Sequence, residues 1–301
     1  MDSKITLYAN DSSYAGISFI SDKIDANVLL FSSVRKDFDD MITNKVYYKD
    51  KSKFIQILNN TEHLIIFGVI SLKRLFNLFG IDYIKRFNKC SLIISDTTYV
   101  KEYTKWNDYI IKYKIDILIM PDLIKYLNKK IKYRPYFQHI DIKNYKLNDK
   151  NTVFTISHSP GLKFKTDLKG TSLIKKILHK YNLDIIYGNS WEECIKRKSK
   201  SHIFIDQIVE EKNYKGGLGK SGLESMLLGC LTITSGKPLI TEPFFENPPI
   251  ILATSKNLKE IVDYYFNNKT EYIEMVNKQQ SWAMKYLNSD FVINNILNKK
   301  N

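Results

Sequence analysis

Residues 201–236, "SHIFIDQIVEEKNYKGGLGKSGLESMLLGCLTITSG", contain a complete unit of α/β structure. The stretch opens with an apolar run that predicts a strand ending near Asp206, followed by a polar, glycine-bearing loop. From Ser221 to Gly229, apolar residues recur at three- and four-residue spacing, which predicts a helix, and "LTITS" predicts a second strand. Strand, loop, helix and strand in this order are typical of a parallel sheet covered by helices.

The same alternation extends over most of the chain. The predicted strands of the first half are "KITLYA", "NVLLFSS", "HLIIFGVI", "SLIISD" and "IDILIM", and those of the second are "TVFTIS", "LDIIYG", "HIFIDQI", "LTITS" and "PPIILAT". The polar segment 129–151 between them has no clear periodicity and predicts an interdomain crossover. We therefore predict an α/β protein of two Rossmann-like domains facing each other across a cleft, residues 1–145 and 146–301, with a helical tail from Ser255 onward in the second.

Composition sets broad limits on function. The 301 residues carry 46 Lys and Arg against 32 Asp and Glu, a formal net charge of +14 that suits a polyanionic partner. The excess is spread over both halves, and an AT-rich genome also enriches lysine, so the charge alone does not require such a partner. No apolar run approaches the ~20 residues that cross a bilayer, and the first residues lack a signal-peptide pattern. The three distant cysteines (Cys90, Cys194 and Cys230) predict reduced, buried thiols, and we expect a cytoplasmic protein.

Two loops have the composition of anion sites. The first, "HSPGLKFKTDLKG" at 158–170, follows a predicted strand, contains several lysines and leads into a helix near Thr171. Helix N-termini bind phosphate through backbone N–H groups and the helix dipole, and lysines add full charge. The alternative is an ordinary surface loop of a lysine-rich protein.

The second loop, "KGGLGKSG" at 215–222, places three glycines, Gly216, Gly217 and Gly219, in the four residues before Lys220. Glycines allow a ligand to approach the backbone closely, and Ser221 with Glu224 has the spacing of a helix-capping box. A tight turn before a core helix explains Ser221 and Glu224 but not the three glycines. Neither GxxxxGK[ST] after a strand nor GxGxxG is present, so neither common nucleotide fingerprint applies.

Segment 153–236 resembles the donor-binding domain of GT-B glycosyltransferases, in particular the family 4-like group. Such domains have a strand followed by "H-[AS]-P", a basic loop and "KGT", here at 158–160 and 169–171. A strand ending in "DQ" follows, here Asp206 and Gln207, and then "G-x-x-x-x-E-[AS]-M-x-x-G", here from Gly219 to Gly229. The order and spacing of these motifs match, and with "LTITSG" at 231–236 and the helical "NLKEIVDYYFNN" at 257–268 the resemblance extends over most of the second half of the chain.

The resemblance implies a glycosyltransferase that uses a nucleotide-diphosphate sugar as donor substrate. It implies that Lys169 and either Lys163 or Lys165 contact the diphosphate, and that Glu224 contacts the ribose. The other residues that it implicates on the donor side are His158, Gly170, Thr171, Asp206, Gly217, Gly219, Lys220 and Ser221. Many members of the family carry another Glu eight residues before the position of Glu224. This chain has Gly216 there, so the resemblance does not identify the donor sugar.

The resemblance is weaker in the first half, where GT-B enzymes bind the acceptor. Gly16 lies in the loop after the first predicted strand, where the family's glycine lets the backbone approach the donor or acceptor. An ordinary Rossmann turn is the alternative there. Asp96 ends a predicted strand and could orient an acceptor hydroxyl, although a helix-capping role explains it equally well.

We expect no metal and no cofactor besides the donor. "DFDD" at 37–40 contains the DxD triplet of the other glycosyltransferase fold, but GT-B enzymes generally need no metal at the donor. No His, Cys or Asp cluster has zinc-site spacing.

The acceptor stays open between two alternatives. One is a glycan or lipid-linked glycan, with the basic surface in peripheral contact with a membrane. The other is a hydroxymethylated DNA base, the acceptor of viral glycosyltransferases of this fold, which would suggest a phage or viral origin. A different class of function is a non-catalytic, basic nucleic-acid-binding α/β protein.

Overall fold

A computed structural model of the chain describes residues 4–10, 17–21, 23–32, 42, 44–95, 97–137, 150–160, 167–209, 218–236 and 246–298. The chain divides into two compact units, Met1–Asp141 with Leu287–Asn301, and Ile142–Tyr286. Along the sequence the division therefore falls at 141/142, whereas the prediction placed it at 145/146.

The described part of the first unit contains a seven-stranded sheet of order β3-β2-β1-β4-β5-β6-β7, in which each neighbouring pair is parallel. Its strands are β1 (Ile5–Ala9), β2 (Asn27–Leu30), β3 (Lys45–Tyr47), β4 (His63–Phe67), β5 (Lys89–Ile94), β6 (Asp116–Ile119) and β7 (Tyr133–Pro135). Its helices before the crossover are α1 (Ile17–Ile20), α2 (Lys51–Asn60), α3 (Val69–Phe79), α4 (Thr97–Lys101) and α5 (Tyr103–Tyr113), with 3₁₀ turns at Ile81–Arg86 and Pro121–Tyr126.

Both faces of this sheet are buried, which explains the continuous apolar runs of its strands. In β4, Leu64 and Ile66 join one hydrophobic cluster, whereas Ile65 and Phe67 join the cluster on the opposite face. The short strands β3 and β7 were not predicted, and β7 lies inside the segment interpreted as crossover. Gly80, with φ of 84°, ends α3, and the chain continues in the 3₁₀ turn at Ile81–Arg86.

The described part of the second unit contains a five-stranded parallel sheet of order β12-β11-β10-β8-β9. Its strands are β8 (Thr155–His158), β9 (Asn182–Ile185), β10 (Ile203–Ile205), β11 (Leu231–Thr234) and β12 (Ile251–Leu252). Its helices are α6 (Thr171–Ile177), α7 (Trp191–Ser199), α8 (Lys220–Leu227), α9 (Leu258–Asn267) and α10 (Lys269–Tyr286). Each of these strands overlaps one predicted from the sequence, and α6 and α8 overlap the helices predicted near Thr171 and from Ser221.

The last helix, α11 (Ser289–Leu297), corrects the predicted domain assignment. We placed the whole helical tail in the second domain, but Leu287–Asn301 belongs to the first unit. The physical reason is that Val292 and Ile296 are buried in the core on one face of the first sheet. In addition, the Asn295 side-chain amide donates a hydrogen bond to the Pro135 carbonyl at 2.7 Å.

Three properties of the described residues bear on function. No helix among them is both long and apolar enough to span a bilayer. The three cysteines are free thiols, of which Cys230 is fully buried and the other two are partly exposed. No group of three or more His, Cys, Asp or Glu side chains in the described ranges could hold a metal ion.

Candidate functional site

The carboxyl ends of β8 and β10 form the topological switch point of the second sheet. The chain leaves β8 for β9 on one side and then returns to place β10 on the other side of β8. His158 at the end of β8 is in register with Ile205, the last residue of β10, and Asp206 follows directly. In open parallel sheets, ligands bind beside such a switch point at the carboxyl ends of the strands.

Asp206 joins the two loops that the sequence singled out. Its carboxylate accepts a hydrogen bond from the Lys169 ammonium at 2.8 Å and another from the Gly219 backbone N–H at 2.9 Å. The Asp206 side chain is fully buried, whereas that of Lys169 is 22% exposed. The lysine side chain is therefore partly accessible, while the carboxylate fixes the position of its ammonium. We call these three residues the Asp206 clamp.

The clamp holds Asp206 in its ionised form. Burial alone would raise the pKa of Asp206, but the charge and hydrogen bond of Lys169, together with the Gly219 N–H, hold this pKa below its usual range. A buried carboxylate without these partners would be costly, so the residues of the clamp depend on one another.

Gly170 brings the Lys169 loop against the segment that follows β10. Its φ is 73°, and a Cβ at this position would lie 1.9 Å from the Ile208 carbonyl oxygen. The Ile208 N–H in turn donates to the Lys169 carbonyl at 3.0 Å. Glycine is therefore required both for the left-handed backbone and for the close approach of the two segments.

His158 connects β8, β10 and α6 from inside the protein. Its Nδ1 is 2.7 Å from the Ile205 carbonyl oxygen, and its Nε2 is 2.9 Å from the Thr171 hydroxyl. Because a carbonyl oxygen only accepts, neutral His158 carries its proton on Nδ1, and Nε2 accepts from Thr171. Burial lowers the pKa of His158 to about 4, so the ring is neutral near pH 7. The structure thus gives His158 two partners within the protein and makes Thr171 one of them.

Helix α8 begins two residues earlier than the capping box predicted. Gly219 is its N-cap residue and has no side-chain cap, so Ser221 is the second helical residue. The prediction that Ser221 caps the helix with Glu224 was wrong, because Glu224 turns into the protein and bonds other groups. Gly222, which we did not single out, is tightly packed: a Cβ there would lie 2.3 Å from Leu218 Cδ1 and 3.3 Å from Asp206 Cγ.

Glu224 is buried, with its side chain 3% exposed. Its Oε2 accepts a hydrogen bond from the ammonium of Lys198, and its Oε1 accepts from the Trp191 indole N–H at 2.8 Å. The Nζ of Lys220 lies 3.9 Å from Oε1 and 6.0 Å from the Trp191 ring centroid. Burial works to raise the pKa of Glu224, but these ammonium groups, Lys198 first, hold it below its usual range.

Lys198 and Trp191 were missed by the sequence analysis. Both lie on α7, and nothing in the sequence pairs them with a glutamate 26 and 33 positions away. The buried position of Lys198 between exposed lysines has no signal in composition alone.

The structure brings Lys169, Gly170, Thr171, His158, Asp206 and Gly219 together, and it places Lys220 and Glu224 on the helix that Gly219 begins. Five other predicted site residues lie outside the described residues. These are Gly16, Asp96, Lys163, Lys165 and Gly217, and the same holds for Gly216 and the triplet at 37–40. Their roles stay predictions.

Each of the two units contains a parallel sheet, and in the second unit the loops that carry the sequence motifs meet at the switch point. This arrangement defines the class of fold, and solved structures agree. The chain has the GT-B fold, as its resemblance implied. Anabaena HepE, solved in complex with UDP and glucose, aligns with a TM-score of 0.70 and 11% identity over 98% of each chain.

Two further solved structures align over nearly the whole chain. A glycosyltransferase from Rickettsia africae gives a TM-score of 0.58 and 14% identity, covering 98% of this chain and 96% of that one. Sucrose-phosphate synthase from Thermosynechococcus elongatus gives a TM-score of 0.60 and 9% identity, with the same coverage of the two chains. No protein-family model matches the sequence. The comparison with curated proteins gives no match either.

Proposed function

We propose that the protein is a glycosyltransferase that moves a sugar from a nucleotide-diphosphate sugar to an acceptor hydroxyl. The observation that carries this proposal is the Asp206 clamp, which joins the "KGT" loop to the start of α8 at the switch point of the second sheet. The GT-B fold supports it, as do the structures of HepE with UDP and with UDP-glucose.

The clamp would prepare the site for a diphosphate. Lys169, held by Asp206 and 22% exposed, would donate to a phosphate oxygen with an N–H group other than the one that bonds Asp206. The N-terminus of α8 would add backbone N–H groups and the positive end of the helix dipole. Lys220, 32% exposed in the first turn of α8, would add a second ammonium, and Lys163 or Lys165 a third.

These groups would act on the transition state more than on the bound donor. As the bond between the sugar and the diphosphate breaks, negative charge grows on the departing diphosphate. Positive groups fixed in advance at that position lower the barrier because they stabilise the developing charge without having to reorganise. We further propose that transfer retains the anomeric configuration and needs no metal ion, by analogy with the family, and we assign no protein nucleophile.

The proposed acceptor is a hydroxyl of a glycan or lipid-linked glycan, or that of a hydroxymethylated DNA base. The net charge of +14 fits a DNA acceptor and also fits a peripheral contact with an anionic membrane, and we propose a cytoplasmic location. Asp96 is the proposed acceptor-side residue, and Gly16 would let the backbone approach the donor diphosphate or the acceptor.

A thermal-shift screen against UDP, GDP, ADP and their sugars tests the proposal. We expect one nucleotide series to stabilise the wild-type protein and to lose this effect in Lys169→Ala and Glu224→Ala. Lys180→Ala is the matched control, because Lys180 is an exposed lysine just beyond α6. Transfer is then assayed by release of the nucleoside diphosphate in the presence of each class of acceptor.

The competing function, nucleic-acid binding without catalysis, predicts a different pattern. Duplex DNA would then stabilise the protein, with an affinity that falls steeply as salt rises, and no sugar nucleotide would do so. That pattern would overturn the enzyme proposal.

A further inference from the structure

The lysine-rich end of α7 contains one lysine that is turned into the protein. In "KRKSK", residues 196–200, Lys196 and Lys200 are exposed, whereas the side chain of Lys198 is only 1% exposed. Its Nζ bonds Glu224 Oε2 and lies 5.1 Å from the centroid of the Phe204 ring. A general demand for surface charge does not account for an ammonium in this position.

Burying an ammonium is costly unless it is paired, and burying a carboxylate is costly for the same reason. Lys198 and Glu224 satisfy each other, and Trp191 donates its indole N–H to the second oxygen of Glu224. Because one donor is fixed on each oxygen, the carboxylate plane cannot rotate without breaking a buried bond. The three residues therefore define a single orientation for Glu224.

We propose that Lys198 is a positioning residue that fixes Glu224 as an ionised, oriented acceptor for the ribose hydroxyls of the donor nucleotide. This inference rests on the proposed function, in which Glu224 contacts the ribose. Each carboxylate oxygen can accept more than one hydrogen bond, so the contacts with Lys198 and Trp191 leave acceptor capacity for a ribose hydroxyl. A carboxyl group that lost its ammonium partner in this buried position would take up a proton and lose part of that capacity.

The experiment compares binding of nucleoside diphosphates with that of their 2′-deoxy forms, measured by titration calorimetry on the full chain. UDP, GDP and ADP are tested first, and the tightest-binding base is used with its 2′-deoxy partner. We expect wild type to favour the ribonucleotide about 10-fold, since a hydrogen bond to a charged group is lost with the 2′-hydroxyl. Lys198→Met should reduce this preference to less than about 2-fold, and Lys198→Arg should restore most of it.

A pH series separates positioning from a merely structural role. In wild type the preference should stay constant between about pH 6 and about pH 9, because Lys198 keeps Glu224 ionised. In Lys198→Met it should be absent at the lower pH and increase as the pH rises, because Glu224 then ionises only in the higher range. A preference in Lys198→Met that equals that of wild type at each pH would overturn the proposal.

A double variant tests the proposal even if Lys198→Met alone fails to fold. Lys198→Met leaves a buried carboxylate without its main ammonium partner, but Lys198→Met with Glu224→Gln removes both charges and should fold. Binding to Glu224→Gln and to the double variant should show the same, small ribose preference, since Lys198 has nothing left to orient. A further loss of preference in the double variant would show that Lys198 acts independently of Glu224 and would overturn the proposal. If no nucleotide binds wild type, the proposed function fails instead, and the two failures are thereby distinguished.

Discussion

Lys169 and Asp206 are 37 positions apart in the sequence, yet their side chains form a 2.8 Å hydrogen bond at the switch point of the second sheet. The two residues differ sharply in exposure, because Asp206 is fully buried and Lys169 is 22% exposed. Asp206 therefore depends on the contact more than Lys169 does, because a fully buried charge needs a partner within the protein.

Removing Lys169 should therefore destabilise the protein more than removing the charge of Asp206. Lys169→Met leaves a buried carboxylate without its main partner, which costs about 3–5 kcal/mol. In Asp206→Asn the ammonium of Lys169 can turn to water, and the lost bond costs about 1–2 kcal/mol. Urea denaturation of both variants near neutral pH measures the two values, and equal losses would contradict the unequal dependence.

The pH dependence of Lys169→Met provides an independent check. In wild type the pKa of Asp206 is lowered on folding, so its contribution to stability is present above the unfolded pKa and is lost as the pH falls through the folded value. Without Lys169, burial dominates and raises that pKa on folding. The deficit of the variant relative to wild type should therefore shrink as the pH is lowered from about 8 toward about 5.

Much of this site could be predicted from the sequence because its parts are local. The strand that ends just before Asp206, the position of Lys169 ahead of α6, and helices α6 and α8 follow from apolar periodicity and glycine placement. What escaped prediction depends on partners distant in sequence. The buried orientation of Lys198, the turn of Glu224 away from a capping role and the packing of α11 on the first unit are set by tertiary contacts.

Gly170→Ala should be among the most disruptive single-methyl changes in the second unit. The new Cβ would meet the Ile208 carbonyl oxygen at 1.9 Å, and the backbone φ of 73° adds strain for any side chain. Gly188→Ala is the matched control, because its φ is 75° but nothing lies within 4 Å of the position that its new methyl group would occupy.

We expect Gly188→Ala to cost about 1 kcal/mol, from the left-handed backbone alone. Gly170→Ala should cost at least about 3 kcal/mol, because two backbone segments must also separate. Urea denaturation measures both, and nucleotide binding should weaken in Gly170→Ala only. Similar losses of stability in the two variants would show that the backbone at Ile208 moves aside at little cost in free energy.

His158 should make the second unit sensitive to mild acid. Its pKa is about 4 in the folded protein, against an ordinary value of 6.5, so the unfolded chain takes up a proton first as the pH falls. The stabilisation associated with neutral His158 is fully present above the unfolded pKa and is lost progressively between the two values. This amounts to about 2 kcal/mol between about pH 7.5 and about pH 5.

His158→Gln tests this dependence, because glutamine is polar but does not titrate. The variant should be less stable at neutral pH, yet its stability should fall less steeply than that of wild type over the same pH interval. Urea denaturation at several pH values measures the slopes. Parallel slopes would show that other groups account for the acid sensitivity.

The last prediction concerns α11, which lies at the end of the chain but completes the core of the first unit. Ile296 is fully buried in the cluster that contains Leu7 and Phe67, residues of the central strands β1 and β4. Ile296→Ala should therefore cost about 2–4 kcal/mol, whereas Ile273→Ala should cost less than about 0.5 kcal/mol because Ile273 on α10 is 46% exposed.

The location of the effect is as informative as its size. Hydrogen exchange should show that Ile296→Ala accelerates exchange in β1 and β4 of the first unit, with β8 and β10 of the second less affected. Faster exchange confined to the second unit would instead support the sequence-based assignment of the whole helical tail to the second domain. Ile296 is nearly 230 positions from Phe67 in the sequence. An effect of Ile296→Ala on β4 would therefore also show that the first domain is not one continuous stretch of the chain.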